Sequence, residues 1–199
     1  VRSLTYNIIV GGSGGQGVMS LVDLLAECAI VQEYNVKVMK YKGLAQRGGS
    51  VRAFLRIGDV ESPIFPRYSA DLVVSLELAE TLNLLEYIGH ETKVLIADYR
   101  IPSVLNAIGI ERYPEDLLDM FSKSGYYILP AERDLKENKL PVITLNTYML
   151  GAISVILSDI FPKNLILRIL KKRLKRFVDE NILSFELGMK RAIHLLKAP

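Results

Sequence analysis

The chain has 199 residues, half of them hydrophobic and 24% charged, with a formal net charge of +3. That suits one compact α/β protein with a sizeable core and is too mild a charge for a surface built to hold nucleic acid. One cysteine, Cys28, and two histidines, His90 and His194, leave an intrachain disulfide, a self-contained iron–sulfur cluster and a zinc site without their usual ligands. No run reaches the roughly 18 uncharged apolar residues of a membrane span, the first apolar run is too short for a signal peptide, and the cysteine usage points to a reducing cytoplasm.

The first stretch, Leu4 to Val10, is a run of strand formers, followed by Gly11-Gly12-Ser13-Gly14-Gly15-Gln16-Gly17. Beyond it Val18, Leu21, Val22, Leu25 and Ala29 recur at helical spacing, so the pattern is strand, glycine turn, helix. Asn35 to Lys40 predicts a second strand, and Tyr41 to Ser50 a glycine-punctuated loop. In the next strand Val51, Ala53, Leu55 and Ile57 face one way and Arg52, Phe54 and Arg56 the other. Gly58-Asp59 predicts a turn and Val60 to Phe65 a returning strand, together an antiparallel hairpin. Asp71 to Leu76 predicts a buried strand, Glu77 to Tyr87 a helix, and Lys93 to Ala97 another strand. Pro114 suits a helix start. Tyr126 to Leu129 predicts a strand and Pro130 to Glu137 a short helix. Asn146 to Ile160, Leu165 to Leu174 and Ile182 to Leu196 predict three further helices. Alternating strands and helices argue a Rossmann-like, mostly parallel sheet with one antiparallel hairpin and C-terminal helices. The expected division is a domain over 1–160 and a helical extension over 161–199 packed on it.

Gly12, Gly14 and Gly17 satisfy G-x-G-x-x-G. Two readings stand: a tight strand-to-helix connection, or a loop whose bare backbone and helix N-terminus meet an anion. A dinucleotide fold usually places a carboxylate about 20 residues further on; here stand Lys37-Val38-Met39-Lys40, which argues against NAD and would suit the extra phosphate of NADP. No Gly-Lys-Ser/Thr follows, so the loop is not a P-loop. Gln46-Arg47-Gly48-Gly49 is the second dense feature. Ligands in parallel sheets sit beyond the carboxyl ends of strands, so both loops can share one rim; Arg47 brings a fork suited to phosphate or carboxylate. A mobile loop with a solvated arginine is the alternative. Glu77 and Glu80 suit the first turn of a helix, Asp98 and Arg100 a surface ion pair, Cys28 the core, and His90 and His194 the surface. The run Lys163 to Arg176 holds seven cations and no acid, a solvated helix face first and a dock for an acidic partner second, with no aromatic platforms for bases. No Ser-His-Asp, Cys-His or paired-carboxylate set emerges, so the chemistry falls to a bound cofactor or to another chain.

Gly12-x-Gly14-Gly15-Gln16-Gly17 after the first strand, then Gly43-Leu44-Ala45-Gln46-Arg47-Gly48-Gly49-Ser50-Val51, resembles the beta-subunit family of indolepyruvate:ferredoxin oxidoreductases. More broadly it resembles the gamma-type domain of 2-oxoacid:acceptor oxidoreductases. Ser62-Pro63, Ala70-Asp71 leading to Glu77, and Asn146 with Leu150-Gly151 continue the likeness over about residues 5 to 160. Lys42 stands where that family commonly has histidine. The resemblance implies a subunit for CoA-dependent oxidative decarboxylation of a 2-oxoacid, inactive alone. It implies a larger partner chain that carries thiamine diphosphate and iron–sulfur clusters and passes electrons to ferredoxin. Its site residues would be Gly12, Gly14, Gly15, Gln16, Gly17, Lys42, Gln46, Arg47, Gly48 and Gly49, beside the partner's thiamine site and near coenzyme A. No catalytic or metal residue is expected in this chain, and no nucleic acid or membrane as partner; an uncovered partner face would let the isolated chain self-associate. The alternatives are an NADP-binding reductase and a structural or regulatory module.

Overall fold

The computed structural model describes residues 5–43, 49–102, 106, 108–110 and 112–197. β1 (Tyr6–Ser13) carries the run Ile8, Ile9 and Val10, all fully buried, as a strand covered on both faces requires. The glycine turn leads into α1 (Val18–Val31), which buries Val18, Leu21, Val22, Leu25 and Ala29. β2 (Val36–Lys42) and β3 (Ser50–Ile57) follow, then β4 (Leu72–Ser75), a 3-10 helix (Ala79–Tyr87) and β5 (Lys93–Ala97). α2 (Leu117–Lys123), β6 (Tyr127–Leu129) and α3 (Ala131–Glu137) precede α4 (Leu145–Ile156), α5 (Lys163–Arg173) and α6 (Val178–Lys197).

The strands form one sheet in the order β2-β3-β1-β4-β5-β6. β1, β4, β5 and β6 pair in parallel, while β3 runs antiparallel to both β1 and β2. The alternation expected of β3 sets its two faces. Val51, Ala53, Leu55 and Ile57 join Ile8, Val10 and Val74 beneath α1 and the C-terminal helices. Phe54 joins Ile9, Val73 and Ile96 on the other face, against Leu84 of the 3-10 helix and Phe121 of α2.

The antiparallel hairpin is β2–β3, not β3 with residues 60–65. Both edges of β3 are taken, by β1 and β2, and Arg56 holds the following segment as a loop by donating to the carbonyls of Ser62 at 3.0 Å and Ile64 at 3.2 Å. Phe65 pins that loop by edge-on packing against Phe54 and Tyr87, with ring centroids 5.4 and 5.9 Å apart. The helix expected from Glu77 is wound as a 3-10 helix from Ala79. Leu78, Thr81 and Leu84, all fully buried, recur every third residue, the row that a three-residue turn stacks on one line. α2 starts at Leu117 rather than at Pro114.

α4 and α6 cross at a pair of glycines. A Cβ on Gly151 would fall 2.0 Å from the Phe185 carbonyl oxygen, and one on Gly188 would fall 1.9 Å from that of Tyr148. Beside the crossing, fully buried Asp134 of α3 accepts two hydrogen bonds from Arg191 of α6, both 2.7 Å, and one from the Tyr148 hydroxyl of α4 at 2.7 Å. Burial and the Asp134 carboxylate both push the Tyr148 hydroxyl pKa upward, and the same carboxylate raises that of Arg191.

Candidate functional site

The first glycine turn leaves β1 at the carboxyl end of the parallel strands. Gly15 (φ 101°) and Gly17 (φ 85°) lie in the left-handed region, which an L-residue occupies only at a cost of about 1–2 kcal/mol. Gly17 is the N-cap of α1, whose first turn has no side-chain cap and no acid, so its N–H groups and the positive helix end face the loop. A Cβ on Gly17 would stand 2.8 Å from Asn146 Nδ2, which places α4 against the turn.

The second loop meets the first directly. The Gly14 N–H donates to the Gly49 carbonyl at 2.9 Å, and the Gly43 N–H to the Ser50 carbonyl at 3.0 Å. Between them lies a cavity of about 380 Å³ lined by Ser13, Gly14, Gly15, Gly17, Val18, Met19, Lys42, Gly43, Gly49 and Val51. A Cβ built on Gly15 meets nothing within 4 Å. The lining has no carboxylate, and Lys42 is exposed. A site of main-chain N–H groups, a helix N-terminus and one amine is suited to binding a negatively charged, narrow group. Among the described residues no cluster of three or more His, Cys, Asp or Glu could hold a metal ion.

Of the expected site residues, Gly14, Gly15, Gly17, Lys42 and Gly49 line this cavity; Gln46, Arg47 and Gly48 lie outside the described residues. Gly12 and Gln16 do not line the cavity. Gly12 is buried, and a Cβ there would meet Gln16 Oε1 at 2.8 Å and Leu76 Cβ at 3.1 Å. Gln16 turns its amide inward: Oε1 accepts from the Ser13 N–H at 2.7 Å and Nε2 donates to the Leu76 carbonyl at 2.7 Å. It latches the turn to the end of β4.

Glu77 exceeds its expected first-turn role. It is 2% exposed. Its carboxylate accepts from the Glu80 N–H at 2.8 Å, the Ile101 N–H at 3.1 Å and the Tyr113 hydroxyl at 2.6 Å, which fastens the chain after β5 to the same rim. Burial, with that carboxylate, raises the Tyr113 pKa. Leu76-Glu77-Leu78, an acid between apolar neighbours, was the available signal for a buried hub. Asp98 and Arg100 form the expected pair, at 3.8 Å. Cys28 is buried and His90 and His194 are exposed, as expected.

Among the described residues the second strand in sequence does not lie beside the first, as the dinucleotide alternative expects. β3 stands between β1 and β2, so Lys37 and Lys40 of β2 are one strand removed from the glycine strand, and Lys40 is paired with Asp23 at 2.6 Å. A larger cavity, of about 570 Å³, opens beside α1, lined in part by Ser20, Asn146, Thr147 and Arg176. No helix among the described residues is long and apolar enough to cross a membrane.

Residues 7–191 match the model of the pyruvate ferredoxin/flavodoxin oxidoreductase family. The chain is 31% identical over 196 residues to indolepyruvate oxidoreductase subunit IorB of Archaeoglobus fulgidus, covering 96% of both chains. Among solved structures it resembles the pyruvate oxidoreductase subunit PORC of Thermotoga maritima, with a TM-score of 0.65 and 24% identity, covering 94% of this chain and 96% of that one. It also resembles the 2-oxoglutarate:ferredoxin oxidoreductase of Magnetococcus marinus, solved with 2-oxoglutarate, coenzyme A and succinyl-CoA. There the TM-score is 0.72 at 21% identity, and the match spans 98% of this chain but 32% of that one.

Proposed function

The chain belongs to the pyruvate ferredoxin/flavodoxin oxidoreductase family, and from that premise we propose that it completes the active site of a 2-oxoacid:ferredoxin oxidoreductase from outside the redox chain. It is a subunit of such a complex, as its indolepyruvate oxidoreductase relative is by name. In this reading a larger partner carries thiamine diphosphate and the iron–sulfur clusters and passes electrons to ferredoxin. This chain offers its glycine rim to coenzyme A beside the partner's thiamine.

One observation carries the reading: two glycine corners 35 residues apart in sequence, Gly14 and Gly49, close on each other at 2.9 Å around an open hollow free of carboxylate. The hollow fits part of a coenzyme A molecule. Gly15 leaves room where a side chain would intrude, and the start of α1 with Lys42 suits a phosphate or a developing negative charge. Coenzyme A, when bound, supplies the thiol that accepts the acyl group. In this reading the chain's own residues bind, orient and wall off, and the partner supplies the groups that make and break bonds.

The test is reconstitution. The chain is co-expressed with the larger subunit, and 2-oxoacid-dependent ferredoxin reduction is followed with and without it. Copurification and dependence of the activity on this chain are expected, and Lys42→Ala should raise the KM for coenzyme A several-fold with the complex intact. A partner that is fully active alone and never copurifies with the chain would refute the reading.

A further inference from the structure

The cation run 163–176 ends in a turn that the glycine rim does not use. Lys171, Lys172 and Arg173 close α5, where cations favour the helix dipole, and Arg173 is tied to Glu27 at 3.2 Å. Neither reason covers Lys175 and Arg176. They stand beyond the helix, exposed, on the lining of the 570 Å³ groove. The groove's apolar part is Leu24, Ile143, Leu174 and Phe177, and its lining holds no carboxylate.

Phe177 is the unusual member. Its φ of 53° is left-handed, a strained choice for a bulky residue, and the residue is left 48% exposed. A clamp holds it there. The Phe177 carbonyl accepts from the Asn181 N–H at 3.0 Å and from Asn181 Nδ2 at 2.7 Å. Buried Thr147 fixes Asn181 in turn, its hydroxyl donating to Asn181 Oδ1 at 2.5 Å. Asn146 then accepts from the Thr147 N–H at 2.9 Å and abuts Gly17. An exposed ring on a clamped turn, beside two cations with no ion-pair partner among the described residues, is the anatomy of an interface anchor.

We propose that this groove receives an acidic segment of the partner subunit, with an apolar side chain packing on Phe177 and flanking carboxylates meeting Lys175 and Arg176. The inference rests on the proposed function, which supplies the partner. A second copy of this chain is the poorer occupant, because it would bring the same cation run, with no acid over 163–176, against itself. The groove also shares Asn146 with the wall behind Gly17, so one partner surface can cover both the groove and the glycine rim.

The test measures affinity between this chain and the purified larger subunit, with variants Phe177→Gly and Lys175→Glu/Arg176→Glu. Glycine adopts the left-handed turn freely, so Phe177→Gly should keep or raise the thermal midpoint of the free chain. It should weaken partner binding at least about tenfold. The double charge reversal should slow association and flatten its salt dependence. Wild-type affinity in both variants would overturn the inference and leave the proposed function standing. So would a dimer of the free chain that Phe177→Gly breaks, which would assign the groove to a second copy. A wild-type chain that does not bind the larger subunit would instead overturn the proposed function, and this inference with it.

Discussion

Replacing Gln16 separates a latch from a ligand contact. Gln16→Ala deletes two hydrogen bonds, to the Ser13 N–H and the Leu76 carbonyl, both 2.7 Å, each worth about 1 kcal/mol net. Ser13 is 6% exposed, so its N–H is left without an easy substitute, which costs about another 1 kcal/mol. The expected loss is therefore roughly 2–3 kcal/mol. Gln16→Glu keeps the acceptor for Ser13 but sets a carboxylate oxygen against the Leu76 carbonyl, so it should be no more stable than Gln16→Ala. Urea unfolding of the free chain, followed by circular dichroism, reads both losses, and coenzyme A affinity of the complex should fall along with stability. Variants as stable as wild type, within about 0.5 kcal/mol, that nevertheless lose coenzyme A would refute the latch and make the amide a direct contact.

Gly188→Ala pits two effects of opposite sign: helix propensity favours alanine by about 1 kcal/mol, whereas a Cβ 1.9 Å from the Tyr148 carbonyl oxygen must push two backbones apart. Overpacking of this kind costs about 1–3 kcal/mol and more where only backbone can yield, so the variant should unfold at lower urea; a more stable variant would contradict the crossing. Asp134→Ala leaves the Arg191 guanidinium and the Tyr148 hydroxyl without their shared acceptor and should cost about 3–5 kcal/mol, measured in the same way. Burial pushes the Cys28 thiol up to about 12 from 9, so the folded chain keeps its proton where the unfolded chain loses it. Stability from this group is whole below pH 9 and declines from pH 9 to 12, by up to about 1.4 kcal/mol per pH unit. Cys28→Ala should flatten that slope, and iodoacetamide should label native Cys28 far more slowly than the unfolded chain.

What the sequence disclosed was local. The glycine spacing and the helical recurrence from Val18 to Ala29 lie in one stretch, and the alternation in β3 shows its own two faces, so β1, α1 and β3 form as expected. Pairing was not local. Residues 60–65 have the composition of a strand, but the β3 edge they would pair with is already taken, since β1 and β2 flank it. The same distance hid Glu77, whose partners Ile101 and Tyr113 are 24 and 36 residues away, and Gln16, whose carbonyl partner is 60 residues away. Gln16 carries the right chemistry for a ligand and spends it on the main chain instead. Phe177 directly follows the basic run, and its left-handed, exposed setting is a property of the turn between two helices that residue type does not reveal.

Half of the ten residues that wall the hollow beside Gly14 and Gly15 are glycines, which present only peptide units and hydrogens on α-carbons. Such a wall offers mutation little to adjust, because exchanging side chains elsewhere scarcely alters its shape or its field. A mould of this kind can grip whatever part is common to many molecules while ignoring the part in which they differ. In the proposed complex, choice among 2-oxoacids would then have to be made across the gap, on the partner subunit.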